Sequence, residues 1–169
     1  MVTRKNFNIS GFLLFMSFLV LCFASGFWVG LRYEKLDFVR VIDGDTFVVK
    51  NRRDGQEWRV RLWGVNAPDS KECFFDIATE VLRDELMGKK ITYQRYGYDG
   101  YGRILAEVFV DGKSLEEKLV ERGVVKVYEA AEVHDGLKPS EEFVKNLMRI
   151  EGYAKEKKVG VWSGECASR

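Results

Sequence analysis

The run Glu57-Trp58-Arg59-Val60-Arg61-Leu62-Trp63 alternates apolar and polar residues over a full strand length. Successive side chains of an extended chain point to opposite faces, so Trp58, Val60 and Leu62 share one face and Arg59, Arg61 and Trp63 the other. One face needs a core, and the other places Arg61 opposite Val60, on the cleft side. Similar strand signals surround this run. Phe38-Val39-Arg40-Val41-Ile42 is a short apolar stretch, Asp43-Gly44 marks a turn, and Thr46-Phe47-Val48-Val49 resumes a strand. Asn51 to Gly55 reads as a polar hairpin loop. Lys90 to Tyr96 and Ile104 to Val110 give two further strands, joined by the Gly97–Arg103 loop.

Three stretches carry the helical period instead. Ile77, Val81, Leu82 and Leu86 form one stripe. Ser114-Leu115-Glu116-Glu117 is a capping-box signature ahead of Leu119 and Val120, and Gly123 marks the stop. Phe143, Leu147, Ile150 and Ala154 line a third helix, which Pro139-Ser140 starts. Five strands with helices after the third and the fifth predict an α+β domain. A small barrel with helices packed at one end fits that order. No internal repeat and no low-complexity segment is present.

Ahead of this domain, Asn6 to Leu31 carries no charged residue, and Arg4 and Lys5 precede it. About 20 apolar residues suffice for a helix to cross a bilayer. Basic residues in front of the segment keep the N-terminus in the cytoplasm. Residues 1–31 therefore read as an uncleaved transmembrane signal anchor, or as a cleaved signal peptide ending at Ala24. Cys22 is a third possibility, as a lipid-attachment cysteine, although the bulky Leu21 precedes it. Each version exports the remainder of the chain, made up of a connector at 32–36, a domain at 37–163 and a tail at 164–169. The domain then stands outside the cell membrane, or is secreted.

Export bears on the cysteines. Besides Cys22 there are Cys73 and Cys166, and a pair in an exported domain is commonly a disulfide. A Cys73–Cys166 bridge is expected, tying the tail to the loop that follows Pro68. The formal net charge is +1, and setting aside Arg4 and Lys5 takes it to about −1. Non-specific nucleic-acid binders are commonly basic. The balance excludes bulk electrostatic attraction but leaves room for positive charge concentrated at one site.

Three segments concentrate chemistry. They are Val41-Ile42-Asp43-Gly44-Asp45-Thr46, Val60-Arg61-Leu62-Trp63-Gly64-Val65-Asn66-Ala67-Pro68-Asp69, and Asp99-Gly100-Tyr101-Gly102-Arg103. Carboxylates suit a hard cation, and two separated arginines suit a phosphate. Gly44 permits an unusual backbone turn beside Asp45. His134 is the only histidine, which disfavours zinc and a serine-type triad. No phosphate-cradling P-loop motif is present.

In these three segments, taken in order, the chain resembles the staphylococcal (micrococcal) nuclease or thermonuclease family over about residues 37–163. Tyr101-Gly102-Arg103-Ile104-Leu105-Ala106 is the closest stretch. The resemblance implies an OB-type five-stranded barrel with three helices. It also implies Ca²⁺-dependent hydrolysis of DNA and RNA with little sequence preference, leaving 3′-phosphates. Asp45 falls at the principal metal ligand. Asn66 stands where the family carries a second aspartate ligand, and Ala67 where a backbone carbonyl is the third. Asp69 falls where the family has a glutamate that positions or deprotonates the attacking water, and is one methylene shorter. Arg61 and Arg103 match the two catalytic arginines. Tyr101 and Tyr128 are candidates for nucleotide stacking, and Gly160-Val161-Trp162 resembles the closing segment, with Trp162 expected to be buried. Arg52, Arg53 and Arg59 read as solvated residues. The departures at Asn66 and Asp69 leave open a weakened site, in which the barrel binds nucleic acid or a partner without cutting. A structural domain of the cell envelope is the third reading.

Overall fold

The computed structural model describes residues 36–128 and 139–165, all within the compact unit Tyr33–Arg169. The apolar N-terminal segment, His134 and Cys166 lie outside the described residues. Among the described residues no helix is long and apolar enough to cross a membrane.

Five long strands carry the fold: β1 (Leu36–Asp43), β2 (Thr46–Asn51), β3 (Glu57–Leu62), β5 (Ile91–Tyr98) and β6 (Ile104–Val110). Two-residue strands β4 (Val65–Asn66) and β8 (Lys126–Val127) pair with each other, and β7 (Lys113–Ser114) pairs with β6. The main sheet runs β1-β2-β3-β6-β5. All its ladders are antiparallel except β3 with β6, which is parallel through Val60↔Ile104 and Arg61↔Leu105.

Among the described residues the sheet expected as a five-stranded barrel does not close. β1 and β5 approach each other, but no ladder joins them. A groove of about 790 Å³ runs there instead, lined by Leu36 and Phe38 of β1, Ile91 and Thr92 of β5, and Met87. Register shifts interrupt β1 against β2 between Phe38 and Arg40 and between Val41 and Asp43, and β5 against β6 between Arg95 and Gly97; irregularities of this kind bend a strand.

Inward-facing residues of the strands build the core. Phe47, Val49, Val60, Leu62, Ala106 and Val108 are all fully or almost fully buried. Helix α1 (Phe75–Leu86) buries Ala78, Leu82 and Leu86. Ile77, expected on that stripe, is 48% exposed, because the buried face is rotated by one residue to follow Ala78. Helix α2 (Leu115–Glu121) starts at Ser114, whose hydroxyl accepts from the Glu117 N–H at 3.3 Å. The reciprocal half of the capping box is absent among the described contacts: the Glu117 carboxylate accepts from Asn146 instead. Helix α3 (Glu141–Glu156) starts at Ser140 in the same way and buries Phe143, Leu147 and Ala154, as its period predicts.

Glu85 of α1 ties the helices together. Its carboxylate is buried yet meets Lys89 at 3.0 Å, Lys118 at 2.6 Å and Arg122 at 3.0 Å. Burial alone would raise its pKa, but Lys118 and Lys89 more than offset this and hold it below the ordinary range. Trp162, in a 3₁₀ turn over Gly160–Trp162, is only partly buried. Its position past the end of α3 leaves one ring face to Lys155 and Lys126, at 4.5 and 5.6 Å from the ring centroid.

Candidate active site

Asp45 occupies the turn between β1 and β2 and is 6% exposed. Its Oδ2 accepts from the Ala67 N–H at 2.7 Å and its Oδ1 from the Thr46 hydroxyl at 2.9 Å. The backbone N–H of Asp45 donates to Asp43 Oδ1 at 3.1 Å. Gly44 makes this enclosure possible, for a reason other than turn geometry. Its φ is not in the left-handed region, but a Cβ there would lie 2.6 Å from the Ala78 Cβ and 2.8 Å from the Ala67 Cβ. The turn, the loop after β4 and helix α1 thus meet over a missing side chain.

Arg61 reaches Asp45 from β3. Its Nε lies 3.2 Å from Asp45 Oδ1. Nη1 donates to the carbonyls of Leu62 and Val65, both at 2.8 Å, and Nη2 donates to Asn66 Oδ1 at 2.8 Å. Arg103 arrives from the loop before β6. Its Nε donates to Asp99 Oδ2 at 2.6 Å, and its Nη1 donates to Thr46 Oγ1 at 3.3 Å. Thr46 therefore joins Arg103 to the carboxylate that pairs with Arg61.

The electrostatics are strained toward an anion and toward a cation at once. Burial raises the Asp45 pKa to about 6, opposed by Arg61 and the Ala67 N–H and reinforced by Asp43. Burial lowers the Arg61 pKa, and the like charge of Arg103 adds to that, against Asp45, Asp43 and Asp99. Asp99 would be raised by burial, but hydrogen bonds from Arg103 and Tyr101 hold it low, so it stays anionic and fixes Arg103. Two guanidinium groups crowded this way gain from a bound phosphate.

Ala67 adjoins Asp45 through its backbone N–H, and Asn66 adjoins Arg61, which engages its side-chain oxygen. Among the described residues no three His, Cys, Asp or Glu side chains gather as a metal-binding group. A cation here depends on Asp45 and neutral oxygens. These are hard donors, which suit a hard divalent cation, and Arg61 already pairs with Asp45 and engages the Asn66 oxygen.

Asp69 is exposed on the loop beyond Pro68. Its N–H donates to Glu72 Oε2 at 2.7 Å and its carbonyl accepts from the Glu72 N–H at 2.7 Å. No described contact joins its carboxylate to Asp45, Arg61 or Arg103. Tyr101 is 78% exposed, with Arg103 5.4 Å from its ring centroid. Tyr128 is 53% exposed and its N–H donates to the Gly64 carbonyl at 2.8 Å. Cys73 is disulfide-bonded.

A model described as staphylococcal nuclease homologue matches residues 59–164. The chain belongs to the staphylococcal nuclease family. An Escherichia coli protein named as an uncharacterized endonuclease is 32% identical over 126 residues, 74% of each chain. The Escherichia coli protein ParB is 34% identical over 149 residues, 85% of this chain and 79% of its own. The thermonuclease of Staphylococcus hyicus is 26% identical over 133 residues, 74% of this chain and 73% of its own. The staphylococcal nuclease match takes in Arg61, Asn66, Asp69 and Arg103, whereas Asp45 lies ahead of it. Sequence reasoning passed over Thr46 and Asp99 as working parts. Both stand inside the quoted segments, and only the side-chain geometry shows that they orient Arg103.

Proposed function

We propose that the chain is an exported, Ca²⁺-dependent nuclease that hydrolyses phosphodiester bonds of DNA or RNA. The observation that carries this is the convergence of Arg61 and Arg103 on the Asp45–Thr46 pair. Two fixed guanidinium groups at one small site match the oxygens of a phosphodiester and the charge that gathers on them in the transition state. Asp45, Asn66 and the Ala67 carbonyl would hold the cation. When bound there, it supplies positive charge to a phosphate oxygen and favours an ionised water. Arg61 keeps its fork aligned through Leu62, Val65 and Asn66, so little ordering is left for the moment of reaction. Arg103 is braced by Asp99 and turns its outer nitrogens to the substrate. Asp69, on its exposed loop, would have to swing toward Asp45 or act through an intervening water to orient or deprotonate the attacking water.

Export is supported by the uncharged stretch from Asn6 to Leu31 behind Arg4 and Lys5 and by the disulfide at Cys73, which suits an oxidising compartment. A single-pass anchor in the cell membrane, with the domain outside, fits that stretch; cleavage of the segment would release the domain.

A second reading rests on Asn66 and Asp69. One ligand position has lost its charge and the water-positioning carboxylate stands clear of the others, as in a module that binds nucleic acid without cutting. Full-length protein in detergent, given heat-denatured DNA over a Ca²⁺ titration, separates the two. Cutting that needs Ca²⁺ and stops with a chelator supports the nuclease. Binding without cutting at every Ca²⁺ concentration supports the module.

A further inference from the structure

Arg59 lies two residues before Arg61 on the same outward face of β3, about 7 Å away along the strand. It is exposed, and its Nη2 donates to the Tyr101 carbonyl at 3.2 Å. The Tyr101 ring in turn lies against Arg103. Arg59 therefore adjoins the same cleft. It differs from its neighbours in one respect. Arg61 is paired with Asp45 and Arg103 with Asp99, whereas Arg59 meets no carboxylate among the described residues. In a chain of almost no net charge, a full positive charge is thus left uncompensated at the rim of the phosphate site.

We propose that Arg59 binds the phosphate next to the scissile one. The proposal rests on the nuclease reading of that cleft. Neighbouring phosphates of one strand are separated by a single sugar-phosphate repeat, a distance comparable with the two-residue step from Arg59 to Arg61 along β3. The Tyr101 carbonyl occupies one of the five guanidinium N–H donors, which holds the side chain over the loop and leaves the outer edge for phosphate oxygens. The exposed Tyr101 ring offers a base a stacking surface beside it without reading its identity.

The test compares an eight-nucleotide oligothymidylate with a dinucleotide that has only the scissile phosphate. Full-length protein and its Arg59→Ala and Arg59→Lys variants are assayed for kcat/KM on both substrates. Binding of the labelled octamer is measured by anisotropy with chelator, over a series of salt concentrations. The expected result is a loss of about ten-fold in kcat/KM on the octamer, carried by KM, and less than two-fold on the dinucleotide. Arg59→Lys recovers part of it. The slope of log Kd against log salt should shrink by about 0.7, the share of one phosphate contact on a single strand. Equal losses on both substrates would mean that Arg59 only braces the Tyr101 loop, and no loss on either would make it a solvated side chain; both overturn the proposal. If the parent binds the octamer but cuts neither substrate, the nuclease reading fails, and the salt slope still decides for or against Arg59. If the parent neither binds nor cuts, both fall.

Discussion

The Arg61 guanidinium donates to the side-chain oxygen of Asn66 at 2.8 Å. The same side chain pairs with Asp45, so an uncharged amide shares its arginine with the one buried carboxylate of the site. An aspartate at 66 would accept the same hydrogen bond and add a negative charge where a cation has few. Asn66→Asp is therefore expected to lower the Ca²⁺ concentration for half-maximal cutting by about ten-fold, the effect of roughly 1.4 kcal/mol of added attraction. A Ca²⁺ titration of cutting rate on both proteins checks this. An unchanged midpoint would place the cation away from Asn66.

Arg103 is held by Asp99 and Thr46 rather than by the core. Removing it should cost catalysis far more than stability. Arg103→Ala is expected to lower kcat by about 10²–10³-fold, the usual effect of deleting one donor aimed at transition-state charge. The melting temperature should move by only a few degrees. Single-turnover cutting and thermal unfolding, measured side by side, check the pair of outcomes. A large drop in melting temperature with the same loss would reassign Arg103 to holding the loop together.

Local pattern made much of this legible. The alternation in Glu57–Leu62 placed Arg61 on a strand, Ile104–Val110 read as the strand that follows the loop holding Arg103, and Ser114 and Ser140 marked two helix starts that the structure shows capped. Non-local facts were hidden. The parallel pairing of Val60 with Ile104 brings Arg61 and Arg103 to one place, and no residue of either strand announces it. Whether β1 and β5 pair is set by strands far apart in the chain, which alternation alone does not locate. In α1, Ala78 faces the core instead of the larger Ile77, because Gly44 and Ala67 leave room there for a methyl group only. Asp45 was legible as a residue; its burial, and the arginine that shares it with Asn66, were not.

Gly44 tests that packing directly. A methyl group at 44 would meet two Cβ atoms at 2.6 and 2.8 Å, and both belong to backbone-fixed alanines that cannot rotate away. Gly44→Ala is expected to destabilise by about 1–3 kcal/mol, as overpacking does. It should also lower kcat, because displacing Ala67 disturbs the N–H that holds Asp45. Adding Ala78→Gly removes the closer clash and should return part of the stability, a coupling that a double-mutant cycle in urea would register. Purely additive effects would show that the segments do not meet as described.

Glu116 lies in the first turn of α2 and is fully buried. Its Oε1 accepts from the Val108 N–H at 2.9 Å, and the Ser114 hydroxyl donates to Oε2 at 3.3 Å. Burial pushes its pKa well above the ordinary value of 4.5, against its own and the Val108 N–H, with Glu107 adding to the rise. An acid whose folded pKa is raised contributes stability below its unfolded pKa and loses it as pH rises through the folded one. The parent should therefore weaken steadily from about pH 5 upward. Glu116→Gln keeps an acceptor for Val108 and cannot ionise. It is expected to be more stable than the parent at pH 8, with the difference shrinking toward pH 5. Urea unfolding at several pH values checks this: a variant less stable at every pH would show that the glutamate is held as a charged hydrogen-bond acceptor, with the Val108 and Ser114 donors outweighing its burial.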